Sequence, residues 1–170
     1  MFSRLGVSFP RRSGLICVDE GRTKMLKFYF TEEGRRAGVG APSRAYQEDA
    51  GFDLRSLRIY SLAPQSITQV HTGVGFEIPT GFYGLICNRT SGGLKGILPV
   101  GQVVDAGYTG EIILILYNTH PFDEVLIEAN ERIAQMVVMP IYRGELRRIE
   151  ATEIKRAERG SRRLGSSGCM

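Results

Sequence analysis

No apolar run in this sequence approaches the roughly 18 residues that cross a bilayer as a helix, so a soluble chain with no membrane partner is expected. Cysteine is scarce and scattered. Cys17, Cys87 and Cys169 are odd in number and lack the close spacing of metal sites, which points to a reducing compartment such as the cytoplasm rather than a disulfide framework. The only histidines, His71 and His120, lie far apart, and surface or structural roles are expected for them. There is no Walker phosphate loop, no dinucleotide-binding glycine fingerprint, no Ser-His-Asp set and no zinc-type His/Cys cluster. Helical periodicity is poor throughout, and no internal repeat is evident.

What is present fits one domain. At 170 residues, 42% hydrophobic and 24% charged, the chain can bury a real core but not two. Its +4 charge is uneven: residues 1–24 carry five basic and two acidic side chains, and residues 143–163 carry eight against four. Such ends suit nucleic acid or lipid headgroups, but equally a tail closing over a triphosphate, and nucleic acid is not expected as the main ligand. Residues 1–24 read as a basic, disordered N-terminal extension. They lack the continuous apolar stretch of a secretory signal, although Arg4, Arg11 and Arg12 with several serines have some organelle-transit character. Met25-Leu-Lys-Phe-Tyr-Phe30 then opens a strand-like run.

Short runs rich in Val, Ile, Leu and Tyr recur at 28–30, 67–70, 81–87, 102–104, 111–117, 125–127 and 132–141. Punctuated by 21 glycines and 7 prolines, they predict an all-β sandwich or barrel. The run 111–117 is apolar on both faces, which predicts a central strand buried from two sides, either within the chain or against another subunit. Residues 25–156 form the expected β domain. From Ala157 onward glycine, serine and arginine dominate, which predicts a flexible tail that orders when something binds it.

Five glycine-marked segments carry candidate chemistry: Asp49-Ala-Gly-Phe-Asp53-Leu54; Arg89-Thr90-Ser91 leading to Gly96-Ile97; Gly101-Gln102-Val-Val104-Asp105-Ala-Gly-Tyr108-Thr-Gly110; Arg132-Ile-Ala-Gln135; and Arg159-Gly160 followed by Gly165-Ser166-Ser167-Gly168. Singly they are ambiguous. Asp53 reads as a turn aspartate that either bonds its own backbone or has a task. Arg89, Thr90 and Ser91 suit phosphate oxygens or an ordinary polar loop. Asp105 follows two valines, and a carboxylate ending a buried strand needs a partner or a function. Gln135 inside an apolar run serves either structural bonding or a ligand. Arg159, Arg162, Arg163, Ser166 and Ser167 offer anion donors on a movable strip.

Jointly, and in this order, the segments over about residues 25–168 resemble the trimeric dUTPase family, as do Gly-Phe-Tyr-Gly at 81–84 and Glu-Arg-Ile-Ala-Gln at 131–135. The resemblance implies a jelly-roll-like all-β fold, a homotrimer with active sites between subunits, and Mg²⁺-dependent hydrolysis of dUTP to dUMP and pyrophosphate. It implies Asp105 as the base that deprotonates the attacking water, and Tyr108 beneath the deoxyribose where a 2′-hydroxyl would clash. The backbone of Gly101, Gln102 and Val104 would read uracil, while Arg89, Thr90, Ser91 and Gln135 would hold phosphate oxygens or the water. Asp53 would hold Mg²⁺ through a water, and Arg159, Leu164, Gly165, Ser166 and Ser167 would form a lid contributed by another subunit.

Three departures stand out. Thr90 replaces a serine, Gln102 stands where glycine is common, and Leu164 replaces the usual phenylalanine beside Arg162 and Arg163, which replace glycines. Two rival readings have their own signatures. A dCTP deaminase of the same fold would carry a catalytic glutamate where this chain has Ile115. A binding or signalling module on the same scaffold would not need the intact Asp105.

Overall fold

The computed structural model describes residues 25–154. The expectations for the extension 1–24 and for Arg159, Arg162, Arg163, Leu164, Gly165, Ser166 and Ser167 fall outside the described residues. Ten strands run in chain order: β1 (Lys27–Phe30), β2 (Gly51–Arg55), β3 (Tyr60–Leu62), β4 (Ile67–Glu77), β5 (Phe82–Asn88), β6 (Ile97–Val100), β7 (Val103–Val104), β8 (Glu111–Asn118), β9 (Val125–Ile127) and β10 (Arg132–Pro140). They form two four-stranded sheets, ordered β1-β4-β8-β6 and β2-β10-β5-β7, with β3 and β9 as a separate pair. The strand pairings are antiparallel. This is the expected all-β architecture, a sandwich of jelly-roll type.

Strand alternation builds the core. Along β8, Ile112, Leu114 and Leu116 point inward, meeting Val70 and Val74 of β4 and Leu54 and Met136 of the second sheet in one buried cluster. Each fully buried aliphatic side chain contributes about 1.5–3 kcal/mol. The polar groups that enter this core are bonded. Asn118 donates to the carbonyls of Leu62 and Asp123, each at 2.9 Å, and Thr72 donates to that of Ile112 at 2.7 Å.

β8 is central, as expected, and within one chain it is buried on one face: Glu111, Ile115 and Tyr117 are half-buried and Ile113 is exposed. The structure corrects other expectations. Asp53 does not lie in a turn. It sits in β2, which the sequence hid because glycine and aspartate are poor strand formers, and pairing with Gln135 of β10 overrides that preference. β3 and β6 were also missed. Two short helices interrupt the strands, α1 (Glu32–Ala37) and α2 (Thr90–Leu94). α1 has legible ends, with the Thr31 hydroxyl accepting from the Gly34 N–H at 3.0 Å and Gly38 closing it at φ 66. Six residues are too few to register as a periodicity.

Candidate active site

The candidate residues gather into two groups. The first surrounds Asp53, which is 8% exposed. Its Oδ1 lies 2.8 Å from Nε of Arg89, and its Oδ2 lies 3.2 Å from a terminal nitrogen of Arg132. The carboxylate therefore spends its charge on two guanidinium groups rather than on its own turn. Arg89 precedes α2 and also donates to the Arg132 carbonyl at 3.0 Å, with Ser91 Oγ at 3.4 Å, so its plane is held from several sides. Thr90 and Ser91 are exposed at the start of α2. Gln135 donates to the Asn88 carbonyl at 2.9 Å, immediately before Arg89. A Cβ at Gly51 would come within 2.5 Å of the Gln135 Oε1, so the glycine of the first segment makes room for this amide. One guanidinium more than the carboxylate neutralises leaves this group with a net positive charge, suited to phosphate oxygens.

Nearby, burial alone would raise the Glu131 carboxyl, but the Lys95 ammonium at 2.6 Å, the Glu128 N–H and Arg89 together hold its pKa below the ordinary 4.5. A depressed folded-state value means that this group's stabilisation is present above the ordinary pKa and lost as pH falls through the lowered one. Glu131→Gln should accordingly lower the melting temperature most at neutral pH and flatten the acid limb of the profile, so that parent and variant converge as pH falls below about 4.5. An unchanged acid limb contradicts this.

The second group lines a cleft of about 220 Å³ formed by Ile86, Gly101, Val103, Val104, Asp105, Tyr108, Glu111, Ile112 and Ile113. Gly101 makes the turn out of β6 with φ +69, a conformation that a side chain would strain. Gln102 folds back, its amide donating to the Pro99 carbonyl at 3.0 Å, while its own carbonyl accepts from the Ile86 N–H at 2.7 Å. Asp105 does not end a buried strand: Val103 is 63% exposed and Asp105 itself is exposed. Tyr108, also exposed, donates its hydroxyl to the Glu111 carbonyl at 2.7 Å. His71 plays a structural part, with Nδ1 2.9 Å from the Glu111 carboxylate, whose other oxygen accepts from the Gly73 N–H at 2.7 Å. His120 Nε2 lies 3.1 Å from the Lys95 carbonyl.

Asp53, Arg89 and Gln135 do not line this cleft. Strand β5 connects the groups, pairing with β7 at Gly84 and Leu85 and ending at Asn88 beside Arg89. Sequence reasoning assigned no role to Arg132, the second partner of Asp53, although it lies in the quoted 131–135 segment. Glu111 also went unassigned, its signal hidden by its place in an ordinary strand.

A model of the dUTPase family matches residues 38–168. Deoxyuridine 5'-triphosphate nucleotidohydrolase of Tropheryma whipplei is 38% identical over 134 residues, 77% of this chain and 90% of that one. The enzyme of that name from Mycobacterium leprae is 36% identical over 137 residues, covering 77% and 89%. The chain belongs to the dUTPase family. Among solved structures, the dUTPase of Staphylococcus bacteriophage 80alpha, bound to dUpNHpp, matches with a TM-score of 0.76 and 28% identity over 86% of this chain and 100% of that one. A mutant dUTPase from phage phi11 of S. aureus, whose structure details a structural Mg(II) ion, is 24% identical with a TM-score of 0.66 over 76% and 99%, a likeness of fold alone.

For this dUTPase the donor set constrains how a metal ion could bind. Among the described residues no group of three or more His, Cys, Asp or Glu side chains is placed to hold one. Asp53 offers roughly four acceptor sites, and two face arginines. What remains suits a metal-bound water rather than direct coordination, and Mg²⁺ is the ion that keeps its waters. No helix of the described residues is long and apolar enough to cross a membrane.

Proposed function

We propose that this dUTPase cleaves dUTP at the α-phosphorus to give dUMP and pyrophosphate, with Asp105 as general base and each active site shared between subunits of a homotrimer. The observation that carries this reading is the cleft that collects Gly101, Val104, Asp105 and Tyr108 around one opening. β7 is the edge strand of its sheet, so the backbone groups of 101–104 that do not pair with β5 offer donors and acceptors to the uracil edge, and Tyr108 offers a flat face to the deoxyribose. A 2′-hydroxyl would meet that face, which favours dUTP over UTP. Asp105 accepts the proton of the attacking water; the new oxygen–phosphorus bond forms as the bond from Pα to the bridging oxygen breaks, and pyrophosphate leaves.

Arg89, Thr90, Ser91 and Gln135 hold phosphate oxygens or the water, and Asp53 sets the plane of Arg89 while offering acceptors to a water of Mg²⁺. When bound, Mg²⁺ offsets phosphate charge. The separation of the two groups within one chain favours a site in which one subunit's cleft faces another's Arg89. Exposed apolar side chains on the outer face of the first sheet, Ile67, Leu98 and Ile113, and in the segment that follows β10, Tyr142, Leu146 and Ile149, support an assembly that covers them. Arg159, Leu164, Gly165, Ser166 and Ser167 complete the lid in this reading. Such an enzyme keeps uracil out of DNA and supplies dUMP for thymidylate synthesis, work that suits the cytoplasm. Ile115, the position that separates the deaminase reading, is apolar and packs near Gly101. Turnover in ¹⁸O-labelled water tests the point of attack: the label should enter dUMP, and label in pyrophosphate would overturn attack at the α-phosphorus.

A further inference from the structure

The turn carrying Asp105 and Tyr108 is poorly buried, with Asp105, Gly107, Tyr108 and Thr109 all exposed. Its own hydrogen bonds are local: the Tyr108 N–H donates to the Asp105 carbonyl at 3.0 Å and the Tyr108 hydroxyl to that of Glu111 at 2.7 Å. Such short-range bonds shape a turn without fixing where it stands on the sheet. A long-range bond does that. The hydroxyl of Tyr29, on β1, donates to the carbonyl of Thr109, 80 residues away.

The reach depends on a single rung of the first sheet. Tyr29 pairs with Gly75 across β1 and β4, and Gly75 pairs with Glu111 across β4 and β8. The Tyr29 ring crosses the β4 strand over Gly75, where a Cβ would collide with the ring's Cζ and hydroxyl oxygen. A tyrosine that served only to cover the sheet would not need its hydroxyl aimed at the loop next to Tyr108.

We propose that Tyr29 is a positioning residue for substrate choice: by holding the Thr109 carbonyl it fixes the Tyr108 ring against the sugar and sharpens rejection of ribose. This rests on the reading of Tyr108 given above. Tyr29→Phe in the full chain keeps the ring over Gly75 and removes only the donor. Loss of one hydrogen bond of ordinary strength predicts a fall of about three- to tenfold in the ratio of kcat/KM for dUTP over UTP. The change should lie in KM more than in kcat, with melting temperature retained and faster amide hydrogen exchange across residues 105–110. An unchanged ratio overturns the role in specificity, and unchanged exchange overturns the clamp. If the parent chain does not hydrolyse dUTP, the functional reading fails, while the exchange comparison still decides whether Tyr29 holds the turn.

Discussion

Asp105→Asn should keep the fold, the assembly and nucleotide binding while lowering kcat by at least ~10²-fold, the low end for a lost general base. The substitution nearly preserves shape and removes proton-accepting power. Asp105 is exposed, so its loss leaves no buried partner uncompensated and stability should hold. KM for dUTP should change little, because the backbone of the 101–104 turn and the Tyr108 ring remain. That split separates chemistry from binding. Steady-state kinetics together with binding of a non-hydrolysable dUTP analogue measure it. A variant with near-normal kcat reassigns the base.

Arg89→Ala is expected to lower kcat/KM on the order of 10²-fold or more, since each charge-assisted bond contributes about 1.5–3 kcal/mol. It should also destabilise the protein, because Asp53, 8% exposed, would keep Arg132 alone as an ionic partner. An unsatisfied buried acceptor costs about 1–3 kcal/mol, and the remaining guanidinium brings the loss toward the lower end. The variant has a further use. If Arg89 and Asp105 in one working site come from different subunits, co-refolding equal amounts of Arg89→Ala and Asp105→Asn chains should restore activity at about a quarter of the sites, those where random assembly joins an intact Arg89 to an intact Asp105. If both residues serve from one chain, the mixture stays as inactive as its parts.

Much of this molecule was legible in its sequence. The runs 111–117, 125–127 and 132–141 became β8, β9 and β10 within a residue or so, because long β-branched stretches between turn residues have few other ways to bury themselves. β2 was not legible, because Gly51 and Asp53 earn their place in the sheet only through partners some 80 positions away. The same holds for the site. Gly101, Val104, Asp105 and Tyr108 are close in sequence, and they share a cleft. Arg132 on Asp53 and Tyr29 on Thr109 are contacts between distant strands, set by register, which no local pattern encodes. The expectation that Asp105 ends a buried strand failed because β7 lies at the edge of its sheet, and the second face of β8 is open within one chain for a related reason. Apolar side chains on the outer face of β8 mark surface that one chain leaves open, and hydrophobicity alone does not say whether its own core or another subunit covers it.

The most direct test of the proposed chemistry offers the purified protein dUTP, dCTP, dTTP and UTP separately with Mg²⁺ and separates the products by chromatography. Conversion of dUTP to dUMP and pyrophosphate, with the other three turned over far more slowly, is the expected result. Ammonia released from dCTP, or dUTP recovered intact, would contradict it.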